Sequence, residues 1–331
     1  MSQRFRVVIT DFITGDLAPE RQVLGEMAEL VALDATSEQD LVGQVEDAAA
    51  LMLYHNIAIT RRTIEQLRSC KLIVRCGVGY DNVDREFARS RGIAVANVPD
   101  YGTEEVADSA IGLTLTLTRG IHLLNSMYRG GAEGWTYRSA APIHRLRGRV
   151  FGVVGLGRIG SATALRARSL GMDVVFYDPY KPDGYDKALG IRRAETLGEL
   201  LKSVFVLSMH TPLTSETREM INAQTIGRMP RGSFLVNTSR GAVVETSAIP
   251  PAIASGQLAG AGIDVLAIEP PPADDALLRA WRDPSHPAYH RVIVNPHSAF
   301  YAEEGLLDMR LKGAQTVRNA LLGQPLRNVV N

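Results

Sequence analysis

The chain has 331 residues, 45% hydrophobic and 22% charged, with 36 Lys and Arg against 36 Asp and Glu. That length and composition suit a globular protein with two real cores. Zero net charge argues against a general nucleic-acid or membrane-surface role, and no apolar run is long enough to cross a bilayer.

Residues 1–10 carry a short strand-like run followed by Asp11, which is not the pattern of a signal peptide. The first hundred residues then alternate strand and helix signals. Strands are expected over 6–9, 49–54, 72–75 and 93–97, and helices over 19–30 and 61–68. The two cysteines, Cys70 and Cys76, are too few for a disulfide scaffold. They read as core thiols in a reducing cytosol, so a cytoplasmic protein is expected, and no metal-ligand cluster accompanies them.

A long helix is expected over 103–129, with Thr103 as N-cap and Glu104, Glu105 and Asp108 in its early turns. Its middle, residues 110–117, is apolar or threonine nearly all round, so it is buried on more than one side. Two readings fit: a core helix of a large domain, or the interface of a homodimer.

From residue 150 the pattern is regular. Six short apolar runs, 150–154, 173–177, 204–208, 233–237, 261–265 and 291–295, alternate with helices or shorter connections. Such runs indicate a parallel sheet covered on both faces, and six strands fill a dinucleotide-binding domain. A last helix over 303–322 is expected to pack back on the first domain. The fold expected is α/β, with two Rossmann-like or flavodoxin-like domains. One is a discontinuous substrate domain, residues 1–100 and 297–331; the other is an NAD-binding doubly wound parallel sheet, residues 101–296.

The run Gly155-Leu156-Gly157-Arg158-Ile159-Gly160 follows a strand and opens a helix. In that setting Gly155 permits the tight turn, Gly157 admits the pyrophosphate and Gly160 allows helix and strand to approach. The helix N-terminus offers N–H groups to the phosphates, and Arg158 adds a charge. Ile159 belongs to the same expected contact. Asp178 ends the second strand, where a carboxylate accepts from ribose hydroxyls and repels a 2′-phosphate; the cofactor expected is therefore NAD rather than NADP. The plainer reading makes Asp178 a turn former before Pro179, and nearby Lys181 weakens the exclusion of NADP. His210-Thr211-Pro212 follows the third strand and is expected to line the adenine or ribose pocket. Thr238 joins the cofactor contacts, and Asp264 either bonds the nicotinamide amide or is structural.

Arg240, Glu269 and His297 each follow a strand of this sheet, at the carboxyl edge where such folds bind ligands. Singly, each is an ordinary loop residue. Together they are the parts needed to reduce a 2-oxo acid. His297 would protonate the carbonyl oxygen, Glu269 would favour the imidazolium and raise its pKa, and Arg240 would hold the carboxylate and polarise the carbonyl. From the first domain, Cys76-Gly77-Val78-Gly79-Tyr80 follows a strand and could present backbone N–H groups to a carboxylate. His55 and Arg75 either reach the same cleft or are structural.

With these segments in order, the chain resembles the D-isomer-specific 2-hydroxyacid dehydrogenases over almost its whole length, and within them the C-terminal-binding proteins. The likeness also rests on Tyr54-His55, Asp81-Asn82-Val83-Asp84, Glu104-Glu105-Val106-Ala107-Asp108-Ser109, Phe176-Tyr177-Asp178-Pro179-Tyr180 and Asn295-Pro296-His297-Ser298-Ala299-Phe300-Tyr301. The resemblance implies catalytic Arg240, Glu269 and His297, a backbone carboxylate site at Val78 and Gly79, NAD binding and a homodimer through the 103–129 helix. Asp108 stands where most of the family has glutamate. Phe300 stands where the animal relatives have tryptophan, which leaves the pocket's shape open. Two functions follow: an NAD-dependent 2-oxo-acid reductase, or an NAD-sensing scaffold like the animal corepressors. No long terminal extension of the corepressor kind is seen, and a chain ending at Asn331 is not expected to be a feedback-controlled phosphoglycerate dehydrogenase. Phe300, with Tyr80 and Tyr101 near it, suggests a partly apolar cleft for glyoxylate, hydroxypyruvate or a larger aryl or thioether 2-oxo acid, and the choice among them falls to His55, Arg75, Tyr80 and Phe300.

Overall fold

Aliphatic runs between polar loops form two separate parallel sheets, each with its own core. The computed structural model describes residues 4–331; the first three residues of the N-terminal run lie outside the described residues. The chain divides into one unit of Met1–Gly102 with Tyr301–Asn331 and a second of Thr103–Phe300. His297 thus falls in the second unit, whose end lies four residues beyond the expected boundary at 296 (300 − 296).

The first unit has strands β1 (Phe5–Ile9), β2 (Ala28–Ala32), β3 (Ala50–Leu53), β4 (Leu72–Arg75) and β5 (Ala94–Asn97), in the order β2-β1-β3-β4-β5. All pair in parallel, which is the flavodoxin-like order. Its connecting helices are α1 (Ala18–Leu24), α2 (Arg61–Gln66) and α3 (Arg85–Ser90). Thr60 and Asp84 cap the last two through their side chains. The helix Glu303–Leu321 packs against α1, β3 and β4, as expected. Its Gly313 lies so close to Cys76 that an added Cβ would stand 2.7 Å from Sγ. Burial pushes the Cys76 thiol up to about 12, which makes it an unreactive core thiol.

The helix expected over 19–30 is shorter. Gly25, at φ +54°, ends it at Leu24, and Ala28–Ala32 instead form β2, paired with β1 from Phe5↔Ala28. A short edge strand with mixed burial carries too weak an alternation to be told from a last helical turn.

The second unit begins with α4 (Thr103–Thr118) and α5 (Ile121–Arg129). The single helix expected here is broken at Gly120, which takes φ +67° and has Ile143 and Ala140 where a side chain would stand. α4 is a core helix: Ala107, Ala110, Leu113 and Leu117 are buried, and Leu113 packs over Gly262. In contrast, α5 has no buried residue, and Ile121 is exposed.

Strands β6 (Val150–Val154), β7 (Asp173–Tyr177), β8 (Arg192–Arg193), β9 (Val206–Met209), β10 (Ser233–Asn237), β11 (Leu258–Ile263) and β12 (Val292–Val294) follow. Their order is β12-β11-β10-β9-β6-β7-β8, all parallel. This is the doubly wound order of dinucleotide-binding sheets with a seventh strand. The strand outside the six expected runs is β8, whose two arginines carry no apolar signal in the sequence. The order reverses between β6 and β9, so the crevice for a ligand opens at their carboxyl ends.

Candidate active site

At that switch point β6 runs into α6 (Arg158–Ser169) through the glycine loop. Gly155 takes φ +89°, and a Cβ there would stand 2.7 Å from the His210 carbonyl oxygen. A Cβ on Gly160 would collide with the Gly155 carbonyl, whereas one on Gly157 would meet nothing within 4 Å. The loop is therefore tight on its protein side and open at Gly157. No side chain caps α6, so its first N–H groups are left for a ligand. Arg158 is exposed and Ile159 half-buried at this end. Asp178 accepts from Leu156 N at 2.8 Å and Tyr180 N at 3.0 Å, so it closes a turn and also braces the glycine loop.

Across the crevice, His210 Nε2 lies 2.8 Å from Ser208 Oγ, and burial pushes His210 down to about 3, so the ring is neutral. His210 Nδ1, Thr211 Oγ1 and Thr238 Oγ1 are buried with no hydrogen-bond partner among the described residues. Orphaned polar atoms of this kind are costly unless a ligand or water meets them. Pro212 follows, exposed at the rim.

The next three loops carry the expected chemical groups. Buried Asn237, ending β10, accepts from Ser239 N and Oγ at 3.1 and 2.8 Å and donates to the Arg240 carbonyl at 2.9 Å. Arg240 Nη1 donates to Ser239 O at 2.8 Å. After β11, Glu269 turns back so that Oε1 accepts from Leu266 N at 2.7 Å. Its other oxygen, Oε2, lies 2.7 Å from His297 Nδ1. His297 sits in the left-handed region at φ +51°, an uncommon conformation for a histidine.

Asp264 explains how that conformation is held. It is buried, its carbonyl accepts from His297 N at 2.8 Å, and its carboxylate accepts from Ser298 N and Ala299 N at 3.0 and 3.1 Å. Burial raises its pKa, opposed by those N–H groups and by His297. Both carboxylate oxygens are engaged beneath the histidine loop, which favours the structural reading of Asp264 over a bond to nicotinamide. Phe300 meets the His297 ring edge-on at 6.2 Å.

In the first unit, the remaining expected residues gather at the carboxyl ends of β3 and β4. Buried Arg75 donates to the Cys76 carbonyl at 3.1 Å, and its guanidinium fills the space that a side chain on Gly77 would need. The Val78 carbonyl accepts from Asn97 Nδ2 at 2.7 Å, Gly79 follows half-buried, and Arg85 lies over the Tyr80 ring at 5.1 Å. The His55 ring packs tilted against Phe12, 4.6 Å between ring centres. Two residues here escaped the sequence reading. Buried Asp11 accepts from Tyr54 N and Asn56 N, both at 2.8 Å, and so fixes the loop that carries His55. Phe12 takes φ +69°. A carboxylate two residues after the end of β1, at the ligand edge of the sheet, was the available signal for Asp11.

The family model for the NAD-binding domain of D-isomer specific 2-hydroxyacid dehydrogenases matches residues 111–299. The chain belongs to this family. It is 32% identical over 328 residues to C-terminal-binding protein 1 of Caenorhabditis elegans, covering 96% of this chain and 44% of that one. It is 31% identical over 326 residues to D-3-phosphoglycerate dehydrogenase of Methanocaldococcus jannaschii, covering 98% and 59%. The chain thus spans about half the length of these curated relatives. The crystal structure of D-lactate dehydrogenase from Aquifex aeolicus, complexed with NAD and lactic acid, superposes with a TM-score of 0.84 at 28% identity, covering 96% of each chain.

The second unit of this dehydrogenase-family chain is therefore an NAD-binding domain. The open face of Gly157, the uncapped start of α6 and the orphaned atoms of His210, Thr211 and Thr238 fit a dinucleotide. Lys181 lies over the Tyr185 ring at 4.9 Å, and Arg193 is paired with Asp183 and Glu195. Replacing Gly160 with valine would force the Gly155 carbonyl and the start of α6 apart. Losing two charge-assisted phosphate bonds costs about 3 kcal/mol or more, so NADH titrated by fluorescence should bind more than about a hundredfold more weakly.

Proposed function

We propose that the protein is an NAD-dependent D-2-hydroxyacid dehydrogenase that reduces the carbonyl of a small 2-oxo acid. The observation that carries this is the 2.7 Å contact between His297 Nδ1 and Glu269 Oε2, at the carboxyl edge of the NAD-binding sheet. NADH, when bound, supplies the hydride. With Nδ1 directed to Glu269, Nε2 of His297 is the atom that gives its proton to the carbonyl oxygen, or takes it back in oxidation. Glu269 orients the ring and balances the imidazolium. Arg240 holds the substrate carboxylate and polarises the carbonyl through its planar fork. Gly155, Gly157, Arg158, Ile159, Gly160, Asp178, His210, Thr211, Pro212, Thr238 and Asp264 surround the cofactor, Asp264 acting through the His297 loop. His55, Arg75, Val78, Gly79, Tyr80 and Phe300 recognise the rest of the substrate. A homodimer through the 103–129 segment is part of this reading, with exposed α5 as the element free to pair.

The similarity to C-terminal-binding protein 1 favours a second reading, an NAD(H)-sensing scaffold with little turnover. The two separate in one assay: NADH oxidation with a panel of 2-oxo acids, including glyoxylate, hydroxypyruvate, pyruvate and an aryl pyruvate. Turnover of any acid supports the dehydrogenase. A flat trace for every acid, with NADH bound, leaves the scaffold.

Glu269→Gln tests the pairing more finely. Glutamine keeps an acceptor near Nδ1 but removes the charge opposite the imidazolium. The expected result is a fall in kcat of about 10- to 100-fold, since a hydrogen bond to a charged group is worth roughly 1.5–3 kcal/mol. NADH affinity should not change. Wild-type kcat in this variant would remove Glu269 from the mechanism.

A further inference from the structure

We propose that Asn97 is a positioning residue for the substrate carboxylate. Its side chain turns the loop after β4 so that the N–H groups of Val78 and Gly79 are offered together, which rests on the reading above that Val78 and Gly79 recognise substrate.

The backbone of this loop carries the geometry. Three successive carbonyls accept from within the first unit. Cys76 O accepts from Arg75 Nη1 at 3.1 Å, Gly77 O from Val98 N at 3.1 Å, and Val78 O from Asn97 Nδ2 at 2.7 Å. The Gly77–Val78 and Val78–Gly79 peptide bonds are trans, so the C=O and N–H of each point in opposite directions. With both carbonyls turned to the end of β5, both N–H groups are turned away from it. Neither N–H has a hydrogen-bond partner among the described residues. Adjacent N–H groups facing one way make a cradle for an anion.

The Asn97 carboxamide decides the orientation of the second peptide. Val98 holds Gly77 through its backbone, which almost any residue could do, whereas only a side-chain donor reaches Val78 O. Gly79 would not resist a flip of the Val78–Gly79 peptide, because glycine accepts φ of either sign. A flipped peptide would set a carbonyl oxygen where the Gly79 N–H stood, an acceptor against an anion. Asn97 is itself buried and held on its outer edge. Its N–H donates to Asn328 O at 3.1 Å, Ala96 pairs with Val329 in an antiparallel bridge, and Val330 N donates to Val95 O at 2.8 Å. Asn331 Oδ1 accepts from Val95 N at 2.9 Å. Residues 328–331 thus extend the sheet beyond β5 and fix the strand end from which the carboxamide projects.

Asn97→Ala and Asn97→Asp in the full chain test this. Aspartate keeps the size of the side chain but sets an oxygen against the Val78 carbonyl. The readouts are KM and kcat for the 2-oxo acid that the wild type reduces best, the Ki of oxamate as an unreactive carboxylate analogue, and NADH affinity by fluorescence. KM and Ki should rise together by about 10- to 100-fold, as for a lost hydrogen bond to a charged group. NADH affinity and kcat at saturating acid should change little, and aspartate should be the worse of the two. A purely structural role would lower Tm and kcat without the joint rise in KM and Ki. If alanine fails to fold, aspartate decides, since it preserves the packing. Wild-type KM and Ki in the folded variants, or a fall in kcat alone, would overturn the role given to Asn97. If the wild type neither reduces a 2-oxo acid nor binds oxamate, the reading of Val78 and Gly79 as a substrate site falls, and this proposal with it.

Discussion

Replacing His297 with alanine is expected to lower kcat for 2-oxo-acid reduction by about 10²- to 10⁴-fold, the usual contribution of a positioned acid or base. NADH affinity should change little. The backbone bonds that shape the histidine loop do not involve the imidazole. The backbone N–H of His297 bonds the Asp264 carbonyl, and Ser298 and Ala299 bond the Asp264 carboxylate. Those bonds survive the substitution. Alanine at φ +51° does add strain of about 1 kcal/mol. Asparagine tolerates that conformation better, so His297→Asn serves as the strain-matched control. Stopped-flow traces of NADH consumption should show both variants slow to the same degree. If asparagine restored the rate, the loop's shape rather than the proton would be limiting, and the role given to His297 would fail.

What could be read beforehand divides along a physical line. β6, β7 and β10 have the expected limits because they are buried on both faces and write continuous apolar runs into the chain. The glycine loop was legible because the φ of +89° at Gly155 and the contact of Gly160 with the Gly155 carbonyl arise within a few residues of one strand and one helix. The edge strands β2 and β8 were not, since an edge strand needs little apolar signal. Gly120 was hidden inside an apolar stretch that continues on both sides of the break. The tasks of Asp11 and Asp264 were hidden for another reason. Each is a buried carboxylate whose partners are backbone N–H groups of a different loop, brought near only by the order of the strands. Gly241 shows the same gap: it follows Arg240 in the chain, but the atoms that demand a glycine there, in Leu266 and Ala267, belong to the next loop.

That demand leads to the second large effect. Gly241→Ala should cut kcat/KM by about a hundredfold or more and lower Tm, although the glycine bears no reacting group. A Cβ at 241 would fall deep inside contact distance of the Leu266 carbonyl and the Ala267 nitrogen. These are backbone atoms and have no rotamer to retreat into. On one side, Asn237 ties the Arg240 carbonyl to the end of β10. On the other, Glu269 is anchored to Leu266 N, and His297 leans on Glu269. Any relief of the clash therefore displaces the arginine loop, or the glutamate with its histidine. Overpacking of this kind costs about 1–3 kcal/mol, which in a unit of this size lowers Tm by roughly 2–4 °C for each kcal/mol. Loss of alignment by about 1 Å is enough for a hundredfold fall in rate. The variant should still bind NADH, because the glycine loop and α6 belong to another part of the sheet. Gly160→Val should instead lose the cofactor. If Gly241→Ala lost NADH and rate in equal measure, the close approach of the two loops would be serving the cofactor crevice instead of aligning Arg240 with Glu269 and His297.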